Sequence, residues 1–166
     1  MAVTNRNSDI IANIVATPAV MNEPYSGGNL KERVGVVTPA ADDTQASVHR
    51  FVRIPSNARL SDLLIAAADA TTAGKYDIGI YRTAADGGAV VDADCFAAAF
   101  DLSGGPFYWS SVLLVGVVTI AEHAMPVWQV AGLTSDPNCD FDICGTIETT
   151  FNGGPTSVGM KARFVQ

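Results

Sequence analysis

The stretch that decides the fold is Asp140-Phe141-Asp142-Ile143-Cys144-Gly145-Thr146-Ile147-Glu148-Thr149-Thr150-Phe151. Its odd-numbered positions are mostly apolar and its even-numbered positions mostly polar, a period of two that is typical of a β-strand with one buried face. Residues 157–165 alternate in the same way after the Gly-rich turn 152–155. The two runs predict a β-hairpin, with Lys161 and Arg163 facing Glu148 or Asp142 across it.

The rest of the chain is dominated by similar short runs rich in β-branched residues. We expect further strands at residues 33–38, 47–54, 59–67, 76–82 and 112–120. The period of 59–67 fits a helix as well as a strand, and its neighbours favour the strand. In 47–54 the alternation places Val48, Val52 and Ile54 on one face, and His49, Phe51 and Arg53 on the other.

Two segments have the pattern of short helices. Residues 94–100 could be capped by Asp92 or Asp94, because a short carboxylate accepts hydrogen bonds from the first helical turn. A second helix is expected within 122–131, starting near Ala124 or Met125 because of Pro126. The sequence therefore predicts an all-β fold: an antiparallel β-sandwich or jelly-roll-like barrel with one or two short helices.

Composition excludes several classes of protein. The chain has 166 residues, of which 48% are apolar and only 16% charged, with a net charge of −7. This length and apolar content fit one folded domain and argue against disorder throughout. The absence of a basic tract disfavours nucleic acid as a partner. The most apolar run, 112–121, has about half the 20 residues that a membrane span needs.

The first part of the chain differs from the rest. Residues 1–42 have little periodic apolar surface, and Pro18 and Pro24 interrupt them. We expect an extended N-terminal arm at 1–42 and a sandwich domain at 43–166. Partner contacts of the arm are assigned to its larger side chains: Ile10, Ile14, Val20, Met21, Tyr25 and Arg33.

No residue is predicted to be catalytic, to bind a cofactor or to ligate a metal. The run 136–142 resembles the start of a calcium loop, but its sixth position is Phe141 rather than Gly and its twelfth is Ile147 rather than Glu. We therefore expect an acidic turn there. The three cysteines are expected to be free thiols, with a Cys139–Cys144 bridge left open. Without a convergent acid, base, nucleophile or metal set, an enzyme is the least favoured class.

An aromatic cluster, Phe107-Tyr108-Trp109, follows a Gly-rich loop. Such a cluster packs into the core, anchors a protein interface or stacks on sugar rings. Four arginines are further candidates for ion pairs, either within the protein or with a partner: Arg33, Arg50, Arg53 and Arg59.

A family resemblance rests on motifs spread over residues 47–166. The run 48–60 contains Arg53-Ile54-Pro55-Ser56-Asn57-Ala58 and is followed by Asp77-Ile78-Gly79-Ile80-Tyr81 within 76–84. Further motifs lie at 87–96, 127–133 and 140–146, the last with Asp142-Ile143-Cys144-Gly145-Thr146. In this order they resemble small virion structural proteins of tailed bacteriophages, of the capsid decoration (cement) type.

This resemblance implies a non-enzymatic protein on the capsid surface of the virion, assembled in the host cytoplasm. It implies the major capsid protein as partner, a homotrimer as the assembly, and stabilisation of the phage head, without cofactor, nucleic acid or membrane. Two alternatives stay open: a neck, tail or head-fibre component, and a carbohydrate-binding module on the virion.

Overall fold

A computed structural model describes residues 29–40, 43–68, 73–103, 106–113, 117–151 and 157–166. These residues form eight strands: β1 (Leu30–Val37), β2 (Val48–Pro55), β3 (Arg59–Ala67), β4 (Lys75–Arg82), β5 (Val90–Asp101), β6 (Phe107–Ser111), β7 (Asp140–Thr149) and β8 (Val158–Val165). Short helical turns at Ala84–Asp86, Glu122–Ala124 and Val127–Val130 lie in the connections.

The strands form two antiparallel sheets of four. The first sheet has the order β1-β8-β3-β6 and the second the order β2-β7-β4-β5. The chain crosses from one sheet to the other at every connection between these strands except β4–β5, which is the arrangement of an eight-stranded jelly roll. The prediction of an all-β sandwich is confirmed.

The core lies between the two sheets and is filled by inward-facing residues of both. The first sheet contributes Leu63, Ile65 and Phe164, and the second contributes Tyr76 and Phe141, all with an exposed fraction of 0%. Burying an aliphatic or aromatic side chain stabilises a fold by about 1.5–3 kcal/mol relative to leaving it in water. The alternating pattern of β7 is thus explained by burial of its odd-numbered face.

The two sheets approach one another closely where β1 passes β2. A Cβ atom at Gly35 would lie 1.9 Å from the carbonyl oxygen of Phe51, so only glycine permits this contact. Arg33, also on β1, donates a hydrogen bond to the carbonyl oxygen of Arg53. Residues 30–37 of the predicted 1–42 arm are therefore a strand of the sandwich, paired along its length with β8.

The predicted hairpin of 140–151 with 157–165 is wrong. β7 pairs with β2 and β4 in the second sheet, whereas β8 pairs with β1 and β3 in the first. Lys161 and Arg163 consequently pair with Glu32 of β1 rather than with Glu148 or Asp142. Alternation reveals which face of a strand is buried, but it contains no information about the partner strand.

The predicted helix at 94–100 and the predicted strand at 112–120 are also wrong. Residues 94–100 belong to β5, which pairs with β4 through three register shifts. These bulges bury Cys95, Phe96 and Ala97 in succession and so disguise the alternation of a strand. β6 ends at Ser111, and the described residues beyond it, 112–113 and 117–121, form bends and turns.

The helix expected within 122–131 is present only as two short turns. Pro126 separates them and serves as the N-cap of Val127–Val130.

In the described residues no helix is long and apolar enough to cross a membrane.

The predicted faces of β2 are wrong because this strand contains a bulge. The pairing with β7 shifts register between Arg50 and Val52, so Phe51 is the extra residue. As a result His49, Phe51, Val52 and Ile54 are all buried, while Val48 is exposed. The bulge also places Arg50 and Arg53, three residues apart, on the same outer face.

Candidate functional site

The outer face of the first sheet is the described surface on which exposed apolar side chains concentrate. Nine large hydrophobic residues are exposed in the described chain, and five of them lie on the two edge strands of this sheet: Leu30, Val34 and Val36 on β1, and Tyr108 and Trp109 on β6. A water-exposed cluster of this kind marks an interaction surface more often than isolated exposed residues do.

The pairing register arranges this face in rows across the strands. One row contains Val36, Gly159 and Ala66, to which β6 adds Trp109. The Trp109 ring reaches across β3 to β8, where a Cβ atom at Gly159 would lie 3.2 Å from it and 3.8 Å from Val36. We call Val36, Gly159, Ala66 and Trp109 the apolar row.

A bulge in β6 positions Trp109. Tyr108 and Trp109 together stand opposite Ala66, because the register with β3 shifts between Ile65 and Ala67. Trp109 has φ +36°, a left-handed backbone conformation that costs about 1–2 kcal/mol in a residue with a Cβ atom. The ring contacts offset this cost: the Lys161 ammonium lies 4.6 Å from the ring centroid. Tyr108 has an exposed fraction of 82%.

The charged residues of this face are paired with one another. Glu32 accepts a hydrogen bond from Arg163 at 2.8 Å and lies 3.8 Å from the Lys161 ammonium. Asp62 accepts a hydrogen bond from Ser111 at 3.2 Å. The hydrogen bond from Arg163 lowers the pKa of Glu32 below its usual range. Arg59, in one row with Val165 and Leu30, is a third basic residue on this face, so two acidic and three basic side chains give it a net charge of +1.

The outer face of the second sheet is built on an ionic cluster. Asp142 is almost fully buried and accepts hydrogen bonds from Arg50 at 3.0 Å and from Arg53 at 2.7 Å. Burial alone would raise the pKa of Asp142, but the two arginines outweigh it and hold this pKa below its usual value. Arg50 also donates to the carbonyl oxygens of Arg82 and Gly88. The cluster therefore ties β2, β4 and β7 together.

Further along the second sheet the charge is unbalanced. Asp92 and Asp94 of β5 lie near Asp77 of β4, and no basic residue contributes to the pKa of Asp94. Burial raises this pKa, and the neighbouring carboxylates raise it further. The outer face of the second sheet is thus acidic, whereas that of the first has a net charge of +1.

A third polar cluster lies in the interior. His49 joins Asp43 and Tyr76, with its Nε2 2.9 Å from the Asp43 carboxylate and its Nδ1 2.5 Å from the Tyr76 hydroxyl. The Asp43 carboxylate also accepts a hydrogen bond from the Ala40 amide, which lowers its pKa. Burial raises the pKa of Tyr76, so this hydroxyl stays protonated. The cluster fastens the connection between β1 and β2 to the core.

The residues predicted for partner contacts fall into three groups. Ile10, Ile14, Val20, Met21 and Tyr25 lie outside the described residues. Arg33 lies on β1 with its guanidinium 5.7 Å from the ring of Phe164, so its contacts are internal. Tyr108 and Trp109 are exposed on β6, and Phe107 is the first residue of that strand.

The other candidate arginines make contacts within the chain. Arg50 and Arg53 bind Asp142, and Arg59 donates to the carbonyl oxygen of Ala124 at 3.0 Å. Sequence reasoning missed Leu30, Val34 and Val36, because a β-branched run looks the same whether its strand faces the core or solvent. Their position on an edge strand follows only from the topology.

The acidic run and the cysteines have structural roles. Asp136 accepts hydrogen bonds from the Ser56 hydroxyl at 2.5 Å and the Asn138 amide at 2.8 Å, which makes the run a turn leading into β7. Among the described residues no group of three or more His, Cys, Asp or Glu could hold a metal ion. All three cysteines are free, and burial raises the pKa of Cys144 to about 12.

Comparison with known proteins gives one structural neighbour in support of this fold. No family model and no curated protein sequence matches the chain. A chain of the cyanophage Pam1 capsid asymmetric unit is similar to it, with a TM-score of 0.52 and 12% sequence identity. The two chains share a fold. The similarity covers 90% of this chain and 95% of that one, so the shared part is nearly the whole of both.

Proposed function

We propose that the protein is a capsid decoration (cement) protein, which binds the major capsid protein and stabilises the phage head without catalysing a reaction. The observation that carries this proposal is the full-length likeness to a chain of a cyanophage capsid assembly. It agrees with the sequence motifs in residues 47–166, which point to the same class of virion protein.

The use of the polar residues supports a binding role over a catalytic one. Asp142 is engaged by two arginines, and His49 by Asp43 and Tyr76 inside the core. General acid–base and nucleophilic catalysis need such groups in reach of a substrate. These groups instead hold strands together, as a structural protein requires.

A decoration protein gains its strength from several weak contacts made together. Linked contacts raise the overall affinity without any single strong one, because the second contact forms at a high effective concentration. The homotrimer would provide such repetition. The exposed face of the first sheet provides apolar area for contact with other chains.

The decisive experiment locates the protein on intact particles. A small tag placed after Gln166, which is exposed at the end of β8, is imaged by electron microscopy. We expect label distributed over the whole head. Label confined to one vertex would support a neck, tail or head-fibre component instead, and particles without label would reject a virion role.

One alternative is limited by the structure. Sugar rings stack on exposed aromatic faces. The Lys161 ammonium lies over the Trp109 ring, so Tyr108 is the more exposed of these two aromatic side chains. A glycan array tests this alternative. Binding that is lost in Tyr108→Ser would support a carbohydrate-binding module.

A further inference from the structure

We propose that the outer face of the first sheet is the surface through which copies of this chain pack against one another. This inference rests on the proposed function in one respect only, since it assigns a surface to the homotrimer that the function includes. Its first support is the concentration of exposed apolar side chains there. Val36, the last residue but one of β1, has an exposed fraction of 64%, and Trp109, in the same row, 40%.

The second support is electrostatic. The whole chain has a net charge of −7, so two copies that approach at random repel each other. On the outer face of the first sheet Glu32 and Asp62 balance Lys161 and Arg163, which leaves the charge of Arg59 at the end of β3. Two copies that meet by this face therefore bring together much less like charge than the whole chain carries. Contact through the other sheet would bring Asp77, Asp92 and Asp94 of both copies together.

The third support is that Glu32, Lys161 and Arg163 keep their partners when this face is buried. Removing water from a charged group is costly unless a partner of opposite charge stays beside it. Arg163 keeps Glu32 at 2.8 Å, and Lys161 keeps both Glu32 and the Trp109 ring. A face that exposes apolar side chains and keeps most of its charges paired can be covered by another copy of the chain at little cost in desolvation.

The test compares two valines of similar exposure on the two sheets. Val36 is 64% exposed on β1, and Val90 is 56% exposed on β5. Sedimentation equilibrium is measured for the full chain and for Val36→Glu and Val90→Glu, in the absence of capsids. We expect the unaltered chain and Val90→Glu to assemble alike. Val36→Glu should raise the dissociation constant of the assembly at least about tenfold, because it places a new carboxylate in the apolar contact between neighbouring copies.

The outcomes separate this proposal from the proposed function. Circular dichroism first establishes whether Val36→Glu is folded. If that variant is unfolded, Tyr108→Glu, at the exposed aromatic residue of β6, is measured in its place. A chain that is monomeric at all concentrations overturns the proposal, as does a folded variant of this face that assembles normally. Normal assembly combined with lost capsid binding would instead make this face the capsid contact. Because no capsid is present, self-association can hold even if the decoration role fails.

Discussion

The two sheets of the sandwich have the same number of strands and opposite charge. The strands of the first sheet contain five basic and two acidic residues, a net charge of +3. Those of the second contain four basic and seven acidic residues, a net charge of −3. On the first sheet Lys31 and Arg33 lie on the same side of β1 as Gly35, which faces the second sheet, so they are not part of the outer face. The outer face of the first sheet therefore has a net charge of +1, from Arg59, Lys161 and Arg163 against Glu32 and Asp62. The outer face of the second sheet is acidic around Asp94.

The two outer faces also use their charges differently. On the second sheet Arg50 and Arg53 serve a buried carboxylate and hold neighbouring strands together. On the first sheet the ion pairs of Glu32 are exposed and leave an apolar row beside them. Exposed ion pairs contribute only about 0–1 kcal/mol to stability. The second face is thus built for stability in water, and the first can be covered by another chain.

The largest expected effect comes from Gly35→Ala, where the two sheets meet. The new methyl group would lie 1.9 Å from the Phe51 carbonyl oxygen, so β1 must move away from β2. We expect a loss of about 3 kcal/mol in the free energy of unfolding, the upper end for overpacking. Urea denaturation measures it, with the exposed neighbour Val34→Ala as control, expected to change by less than about 1 kcal/mol. Equal stability of the two variants would contradict the close approach of β1 to β2.

The next effect concerns the ionic cluster. Asp142→Asn removes the carboxylate shared by Arg50 and Arg53, and we expect a loss of about 2 kcal/mol in the free energy of unfolding, less than for a fully buried pair because both arginines reach solvent. The matched control is Asp94→Asn on the same sheet, which removes a carboxylate from acidic neighbours. It should leave stability unchanged or raise it. A destabilisation of the same size in both variants would refute the distinction.

The same two residues predict opposite pH dependences. The pKa of Asp142 is held below its usual value of 3.8, so its stabilisation is complete above about pH 5 and is lost as pH falls through 3.8 toward the native value. The pKa of Asp94 is raised, so its ionised form opposes folding at neutral pH and protonation relieves this on acidification. Melting temperatures from neutral to acid pH should show the deficit of Asp142→Asn shrinking. A deficit that stays constant into acid would exclude Asp142 as the titrating group.

Much of the fold could be predicted from the sequence, because apolar and polar residues alternate with a period of two along a strand that buries one face. The runs in β2, β4, β7 and β8 have it, and each is a strand in the structure. For β3 the period is ambiguous, and the neighbouring strands favour the correct assignment. β5 could not be identified, because its bulges bury Cys95, Phe96 and Ala97 in a row, like one side of a helix. The false hairpin has a different cause: strands adjacent in sequence cross to opposite sheets in a jelly roll, and no local pattern encodes this.

The candidate site was predicted only at its aromatic end. Tyr108 and Trp109 could be recognised because aromatic residues after a Gly-rich loop are unusual in a solvated segment. The β1 half was hidden, since Val34 and Val36 become an exposed surface only when β1 is placed at the edge of the first sheet. The apolar row exists because four strands distant in sequence align in register, and that alignment is a tertiary property.

The smallest effect on stability separates the two aromatic residues of β6. Tyr108→Ser should change the free energy of unfolding by less than about 0.5 kcal/mol, because the side chain is 82% exposed. Trp109→Ala should cost about 1–2 kcal/mol, since it removes the ring from Gly159 and Lys161 but keeps the φ of +36° unfavourable. Urea denaturation of both variants gives the two values. If the first sheet faces other copies, both variants should weaken assembly although only one weakens the fold. A Tyr108→Ser protein with unchanged stability and unchanged assembly would contradict the assignment of this face to contacts between copies.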